Sequence, residues 1–440
     1  MRRILSALFL VSAALQAQSL NALLLEVLQT NPTVIAQLKN FESTRPDVTA
    51  ARAGYYPSID LSAGVGKEKT DRTPTGGLTA TTDFDVTQAS LTYSQNLFSG
   101  FATLHRIDEQ SARSVAAAYG YVQTLNGISL DLVTSYLEVM RSNDLLETSR
   151  QNVKINEEIF TKVSKLYESG LTTLSEVNKI ESSLALAKSN AVVNENNLAT
   201  TRFTLERIAG NPVAPDALEK PEFIWGLPAT FTSALEHAYG NNPSLLVSDY
   251  NIKQALAARK GAEATYYPRL DVEVSQTYGK RLSAYDGEEE QFKAMATLSF
   301  NLFNGFADQA AVEKQALLLQ FEHANHDKLR RQVKEALHLA WTGYEKLRQQ
   351  LEHLKAYKEF SLKTLTLYSK EYDLGRRSLL DLLAAQSDFI GSKSQIINTE
   401  YDILLAQYRI LDAMGIMTSA MLTQSDEFYA KVGLQTPTAP

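Results

Sequence analysis

The chain has 440 residues, a formal net charge of −7 and no cysteine. Without cysteine there is no disulfide, no thiolate chemistry and no lipid attached through a cysteine at a cleaved N-terminus. The acidic balance, which moves from −7 to −9 if Arg2 and Arg3 leave with a signal segment, opposes a general role on nucleic acid or on an anionic membrane surface.

Met1-Arg2-Arg3, the apolar run Ile4 to Leu15 and the small residue Ala17 together predict an export signal over 1–17. That run is too short to cross a bilayer, and no later segment offers about 20 uninterrupted apolar residues. Any membrane span must therefore be a β-barrel.

Next come short stretches of strict alternation, which predict strands with two unlike faces. Ile59, Leu61, Ala63 and Val65 oppose Ser58, Asp60, Ser62 and Gly64, and Ala89, Leu91, Tyr93 and Leu97 oppose Ser90, Thr92, Ser94 and Asn96. Strands of about ten residues with this pattern suit a barrel wall between lipid and water, and equally a half-buried soluble hairpin. The turn-rich Thr73-Pro74-Thr75-Gly76-Gly77 reads as the loop joining the pair.

From Phe101 to Ser169 the only glycines are Gly120 and Gly127. A helix of roughly 65 residues is predicted, about 100 Å long at 1.5 Å per residue. Leu130, Val133, Tyr136, Leu137 and Met140 mark its apolar stripe, and Gly170 marks the reversal into a second helix. The proline-rich stretch from Asn211 through Pro228 cannot be helical throughout and reads as a linker.

The pattern then returns. Tyr55-Tyr56-Pro57 recurs as Tyr266-Tyr267-Pro268, and Asn96-Leu97-Phe98-Ser99-Gly100-Phe101 as Asn301-Leu302-Phe303-Asn304-Gly305-Phe306. Gly100 and Gly305, Gly170 and Gly375, and Gly210 and Gly415 are all 205 positions apart, whereas Pro57 and Pro268 are 211 apart. The first copy thus holds six extra residues, expected in the Thr73–Gly77 loop. In the second copy Leu270, Val272, Val274 and Tyr278, then Phe292, Ala294, Ala296, Leu298, Phe300 and Leu302, predict two further strands, with Asp286-Gly287-Glu288-Glu289-Glu290 as their loop. A long helix follows to Leu374, and Ile397, Tyr401, Leu404, Tyr408, Leu411 and Gly415 form a coiled-coil seam on the last one. The expected division is a signal peptide at 1–17, a first repeat of two strands plus a helix hairpin at 18–210, a linker at 211–230, a second repeat at 231–416 and a tail at 417–440.

The Asn31-Pro32 and Asn242-Pro243 pairs, the Tyr-Tyr-Pro strand starts, the Asn-Leu-Phe-x-Gly-Phe junctions and the run Leu374-Gly375-Arg376-Arg377-Ser378-Leu379-Leu380-Asp381-Leu382-Leu383 resemble the TolC family of outer-membrane export ducts over the whole mature length. Ala294 to Phe306, Ala336 to Trp341 and Arg377 to Ala385 look most like the branch serving type I secretion. The resemblance implies an α+β membrane protein, internally duplicated, in which a homotrimer closes a 12-stranded β-barrel from four strands per protomer and continues it as a long helical barrel in the periplasm. It also implies an outer-membrane location in contact with lipid, and as partners a periplasmic adaptor and an inner-membrane ABC or proton-driven transporter. Multidrug efflux is the alternative within the family. A periplasmic coiled-coil scaffold without a pore, or a passive porin-like channel, are the alternatives outside it.

No enzymatic motif is present, and no cofactor, metal or nucleic acid is expected. His323 and His326 are three apart on a helix, a spacing met more often on a solvated face than at a metal. The family's closed helix-hairpin tips are held by hydrogen bonds and ion pairs. The matching positions pair Glu176 with Tyr372, and Arg377 with Ser175 or its neighbours, as a periplasmic gate, against the plain reading of solvated tip residues. Asp381 matches an acid at the family's narrowest point. A second acid one turn on is replaced by Ala384, so a less acidic constriction is expected.

Overall fold

A computed structural model describes residues 19–73, 75–282 and 287–437. The expected signal, 1–17, lies outside these residues, as do Pro74 and Asp286.

The chain opens with α1 (Leu20–Thr30) and α2 (Pro32–Arg52), divided at Asn31-Pro32. Asn31 Oδ1 accepts the Thr33 N–H at 2.9 Å, and a proline at the first helical position loses no hydrogen bond. Strands β1 (Ser58–Arg72) and β2 (Ala80–Ser99) follow, then the helix pair α3 (Ala102–Glu168) and α4 (Leu174–Ala209). The second copy repeats this order as α5 (Phe231–Asn241), α6 (Pro243–Ala262), β3 (Arg269–Lys280), β4 (Glu288–Ser299), α7 (Ala307–Asp373) and α8 (Leu379–Ala413). Two short helices, α9 (Met417–Met421) and α10 (Ser425–Lys431), end it. The helices α3 and α7 each run 67 residues, as their sequences predict.

The described residues divide into two compact units that cut across the repeats. One takes Lys39–Tyr119 and Ser244–Leu329 and holds an antiparallel sheet in the order β1-β2-β3-β4. On it Leu61, Val65 and Phe292 are 76%, 85% and 70% exposed, so an apolar face lies bare, and β1 and β4 are left as edges. In the helical part of this unit Ala112, Ala116, Ala257, Phe41 and Leu245 are buried, and Tyr119 stacks on Tyr250 at 5.7 Å.

Three details of the sheet differ from expectation. The connections 73–79 and 281–287 are equally long, so the six extra residues are not a loop. They lengthen the ladder instead: β1 has 15 residues against 12 in β3, and its pairing runs on to Arg72 and Ala80. Residues added in facing pairs keep every ladder hydrogen bond, which a longer loop would not do. Glu288 to Glu290 likewise open β4 rather than belonging to a loop, and Lys280 Nζ donates to Glu288 Oε1 at 2.8 Å.

The third difference is a β-bulge. Asn96 pairs with Asp271 and Phe98 with Leu270, so Leu97 has no partner in the ladder. Gln95 stands opposite Val272 and Phe98 opposite Leu270, which moves Leu97 off the alternating face it was expected to share with Leu91 and Tyr93. The Asn96 amide donates to Asp271 Oδ1 at 2.8 Å and fixes the bulge.

The second unit contains the residues up to Leu38, Gly120–Pro243 and those from Arg330 onward. Its core buries Leu125, Leu132, Tyr136 and Leu137 of α3, Tyr401, Tyr408 and Leu411 of α8, Leu24 and Leu28 of α1, and Phe428 and Tyr429 of α10. The linker is held here. Tyr136 donates to the Glu219 carbonyl at 2.7 Å, and Phe223 and Trp225 meet the Tyr408 ring edge-on. Asn126 donates to the Gly415 carbonyl at 2.9 Å and accepts the Thr418 N–H at 3.1 Å, which ties the tail to α3.

Candidate functional site: the paired helix-hairpin tips

Both hairpins turn by the same device. The Gly170 and Leu171 N–H groups reach back to the Tyr167 and Leu166 carbonyls, and those of Gly375 and Arg376 to the Tyr372 and Glu371 carbonyls. This is the Schellman closure, and it requires the left-handed backbone seen at Gly170 (φ +71°) and Gly375 (φ +69°). Each returning helix then starts from a hydroxyl residue, Thr173 before α4 and Ser378 before α8.

The tips are equivalent in sequence and unlike in bonding. Thr173 and Ser378 are 205 positions apart, and so are Glu176 and Asp381. On α8, Ser378 Oγ accepts the Asp381 N–H at 3.2 Å and donates to Asp381 Oδ2 at 2.8 Å, a local cap. Thr173 makes no such cap, and its hydroxyl lies 2.8 Å from that of Ser175. Glu176 is therefore free for other partners: its Oε2 accepts Thr172 Oγ1 at 2.6 Å and the Tyr372 hydroxyl, from the other hairpin, at 3.4 Å.

The structure thus brings Glu176 and Tyr372 together, as the sequence suggested. It does not bring Arg377 to Ser175. Arg377 Nε donates to Glu371 Oε2 at 2.9 Å, its guanidinium lies 4.0 Å over the Tyr368 ring, and Nη1 stands 4.0 Å from Asp381 Oδ2. The reason is reach and order: Glu371 and Asp381 flank the turn that carries Arg377, so a pairing inside its own hairpin orders fewer groups than one across hairpins.

One tie escaped the sequence reading. Lys162 of α3 forms an ion pair with Asp373 at the end of α7, and its ammonium lies 6.0 Å over the Tyr372 ring. The repeat holds no trace of it, because the positions 205 away from Lys162 and Asp373 are Leu367 and Glu168. Under both ties lies an apolar cluster of Val163, Ile180, Tyr372, Leu379 and Leu382 contributed by all four helices. Tyr372 is only 9% exposed. That burial, followed by the nearby Glu176 carboxylate, pushes the phenol up to about 12 and keeps it a neutral donor.

These contacts are individually weak. Exposed ion pairs contribute about 0–1 kcal/mol each, and one long hydrogen bond adds about as much. Among the described residues no three or more His, Cys, Asp or Glu gather at a point, and His326 faces Asp249 at 3.3 Å.

Comparison with known proteins agrees with this architecture. The family described as "Outer membrane efflux protein" matches residues 23–211 and 234–416. The chain is 23% identical over 390 residues to "Outer membrane protein TolC" of Vibrio cholerae, covering 86% of each. It is 23% identical over 371 residues to "Alkaline protease secretion protein AprF" of Pseudomonas aeruginosa, covering 82% of this chain and 76% of that one. The solved structure of the outer membrane protein VceC from Vibrio cholerae superposes with a TM-score of 0.77 at 16% identity, over 90% of this chain and 96% of that one, which shows the shared fold.

Proposed function

From the premise that the chain belongs to the outer membrane efflux protein family, whose members are channels of the outer membrane reaching into the periplasm and not enzymes, we propose that three copies assemble into one exit duct serving type I protein secretion. The observation that carries the assembly is the four-stranded sheet with a bare apolar face and two unpaired edges. Hydrocarbon does not tolerate open edges, and three such sheets joined edge to edge make a closed barrel of 12 strands. The helix hairpins continue the duct through the periplasm toward an adaptor and an inner-membrane transporter.

The tips form the gate in this reading. Glu176 and Tyr372 link the two hairpins, Ser175 and Arg377 order the turns on either side, and threefold symmetry gathers three Asp381 carboxylates at the constriction. Likeness to the alkaline protease secretion protein favours a polypeptide cargo driven by an ABC transporter. The efflux reading stands second, favoured by the family's own description; its partner would be a proton-driven or ABC pump.

Mass measurement on the detergent-extracted protein tests the assembly, with a particle of three chains expected and a detergent-free monomer refuting it. Cargo is tested by expressing the chain in cells that lack their own export duct but retain a protease-secreting ABC transporter and its adaptor. Recovery of protease in the medium supports type I secretion. Recovery of drug resistance alone supports efflux.

A further inference from the structure

Beyond the apolar cluster of the tip, α3, α4 and α8 enclose a cleft of about 280 Å³ whose walls carry no charged side chain. Those walls are of two kinds. Leu186 of α4 with Leu383 and Ile390 of α8 make an aliphatic side, and Ser183, Asn190, Gln386 and Ser387 make a polar one. Gln386 is 2% exposed, and its Nε2 donates to Asn152 Oδ1 at 2.9 Å. That oxygen also receives Asn156 Nδ2 at 3.2 Å, so it is an acceptor and the orientation of the Gln386 amide is fixed. Gln386 Oε1 is thereby left in the wall of the cleft, buried and with no hydrogen-bond partner among the described residues. The side chains of Ser183, Asn190 and Ser387 have none there either.

A buried acceptor without a partner calls for an explanation. Water alone answers it on one side only: at about 30 Å³ each, roughly nine waters fill the cleft, and those against the leucines and the isoleucine lack partners. We propose that the cleft binds a neutral polyhydroxylated small molecule, the chemistry of a single sugar ring. A ring hydroxyl donates to Gln386 Oε1, other hydroxyls meet Ser183, Asn190 and Ser387, and the C–H face of the ring lies on Leu383 and Ile390. Replacing poorly held water by C–H surface gains affinity, while the hydroxyls keep the polar wall satisfied. A carboxylate, phosphate or ammonium fits badly, since it would leave water for walls that offer no opposite charge. The rim is open to such a ligand, because Asn190 and Ser387 are both exposed. Once bound, the ring bridges α4 to α8 and stabilises the helical unit in proportion to its occupancy. All the residues of the site belong to one chain, so the proposal holds independently of the duct reading.

Saturation-transfer NMR on the detergent-extracted protein tests the site, with D-glucose and N-acetylglucosamine as neutral probes and glucuronate and glucosamine as charged ones. Both neutral sugars should receive transfer, with an affinity on the order of 1 mM, and the charged ones should bind about tenfold more weakly. Gln386→Leu removes the unpaired acceptor and should weaken neutral-sugar binding about tenfold. If that variant does not fold, Asn190→Leu with Ser387→Leu alters only exposed rim positions and should have the same effect. Melts followed by circular dichroism confirm that parent and variants are folded. Absence of transfer to either neutral sugar in the folded parent leaves the cleft to water and overturns the proposal. Equal transfer in parent and folded variants places binding elsewhere and overturns it too. Charged probes that bind as well as neutral ones overturn the ligand class.

Discussion

The hydroxyl of Tyr372 on α7 lies 3.4 Å from Glu176 Oε2 on α4 and joins the two hairpins directly, as Lys162 of α3 does with Asp373 of α7. Removing it by Tyr372→Phe keeps the buried ring and deletes the donor. On the proposed gate, the loss of about 1 kcal/mol per chain, or roughly 3 kcal/mol over three copies, falls on the closed state alone. Single-channel conductance in planar bilayers should rise. Arg377→Ser should do less, since its partners lie in its own hairpin, and the double variant should resemble Tyr372→Phe. A larger effect from Arg377→Ser would move the lock away from the geometry seen within one chain.

The same tyrosine gives the tip an alkaline limit. Its ionisation in the folded state stands at about 12 against an ordinary 10. A raised value contributes stability that is complete below pH 10 and is lost as pH rises from about 10 to 12. Opening of the parent should therefore increase across that window, by a step that Tyr372→Phe lacks. An equal rise in both would assign the step to other tyrosines.

At the far end of α8, burial and then the Asp131 carboxylate push Asp412 up from 3.8 to about 6. A folded value above the unfolded one makes this group least costly below pH 4 and progressively destabilising as pH rises to 6. Asp412→Asn should stabilise the helical unit at pH 7, by at most about 3 kcal/mol at 1.36 kcal/mol per pKa unit. Thermal melts at pH 7.5 and pH 3.5 check this: the gain should be present at the first and absent at the second.

The extended first hairpin permits a matched deletion. Removing Thr70–Arg72 together with Ala80–Thr82 takes out three facing pairs and reproduces the length of the second hairpin. Oligomer yield should stay near that of the parent. Deleting Leu91 alone should abolish it, because a one-residue slip exchanges the faces of the rest of the strand. Equal yields from the two would show that these faces are not the lipid and water sides of a wall.

The repeated strand-to-helix glycines differ in their surroundings. A Cβ at Gly100 would lie 2.4 Å from the Ala264 carbonyl oxygen, whereas one at Gly305 meets open space, and both have positive φ. Gly305→Ala should cost about 1–2 kcal/mol for the left-handed backbone alone. Gly100→Ala adds the clash, for about 2–5 kcal/mol in total. Denaturation of the two variants in detergent should rank them in that order.

Much was legible in the sequence because it depends on local period and on self-comparison. Alternation marked the four strands, the scarcity of glycine and proline marked α3 and α7, and the 205-residue offset aligned both turns. Motif resemblance supplied the Glu176–Tyr372 pairing. What the sequence could not decide was how two equivalent tips would diverge. Asp381 caps its own helix through Ser378, while Glu176, at the same repeat position, turns instead to Thr172 and Tyr372. A carboxylate one turn inside a helix has a local partner and distant ones within reach, and which it takes depends on what the neighbouring hairpin presents. The same holds for Lys162 with Asp373, for Arg377 with Glu371, and for the bulge at Leu97. Each is a choice among near-equal partners, and only the packing of α3, α4, α7 and α8, or of β2 on β3, makes that choice.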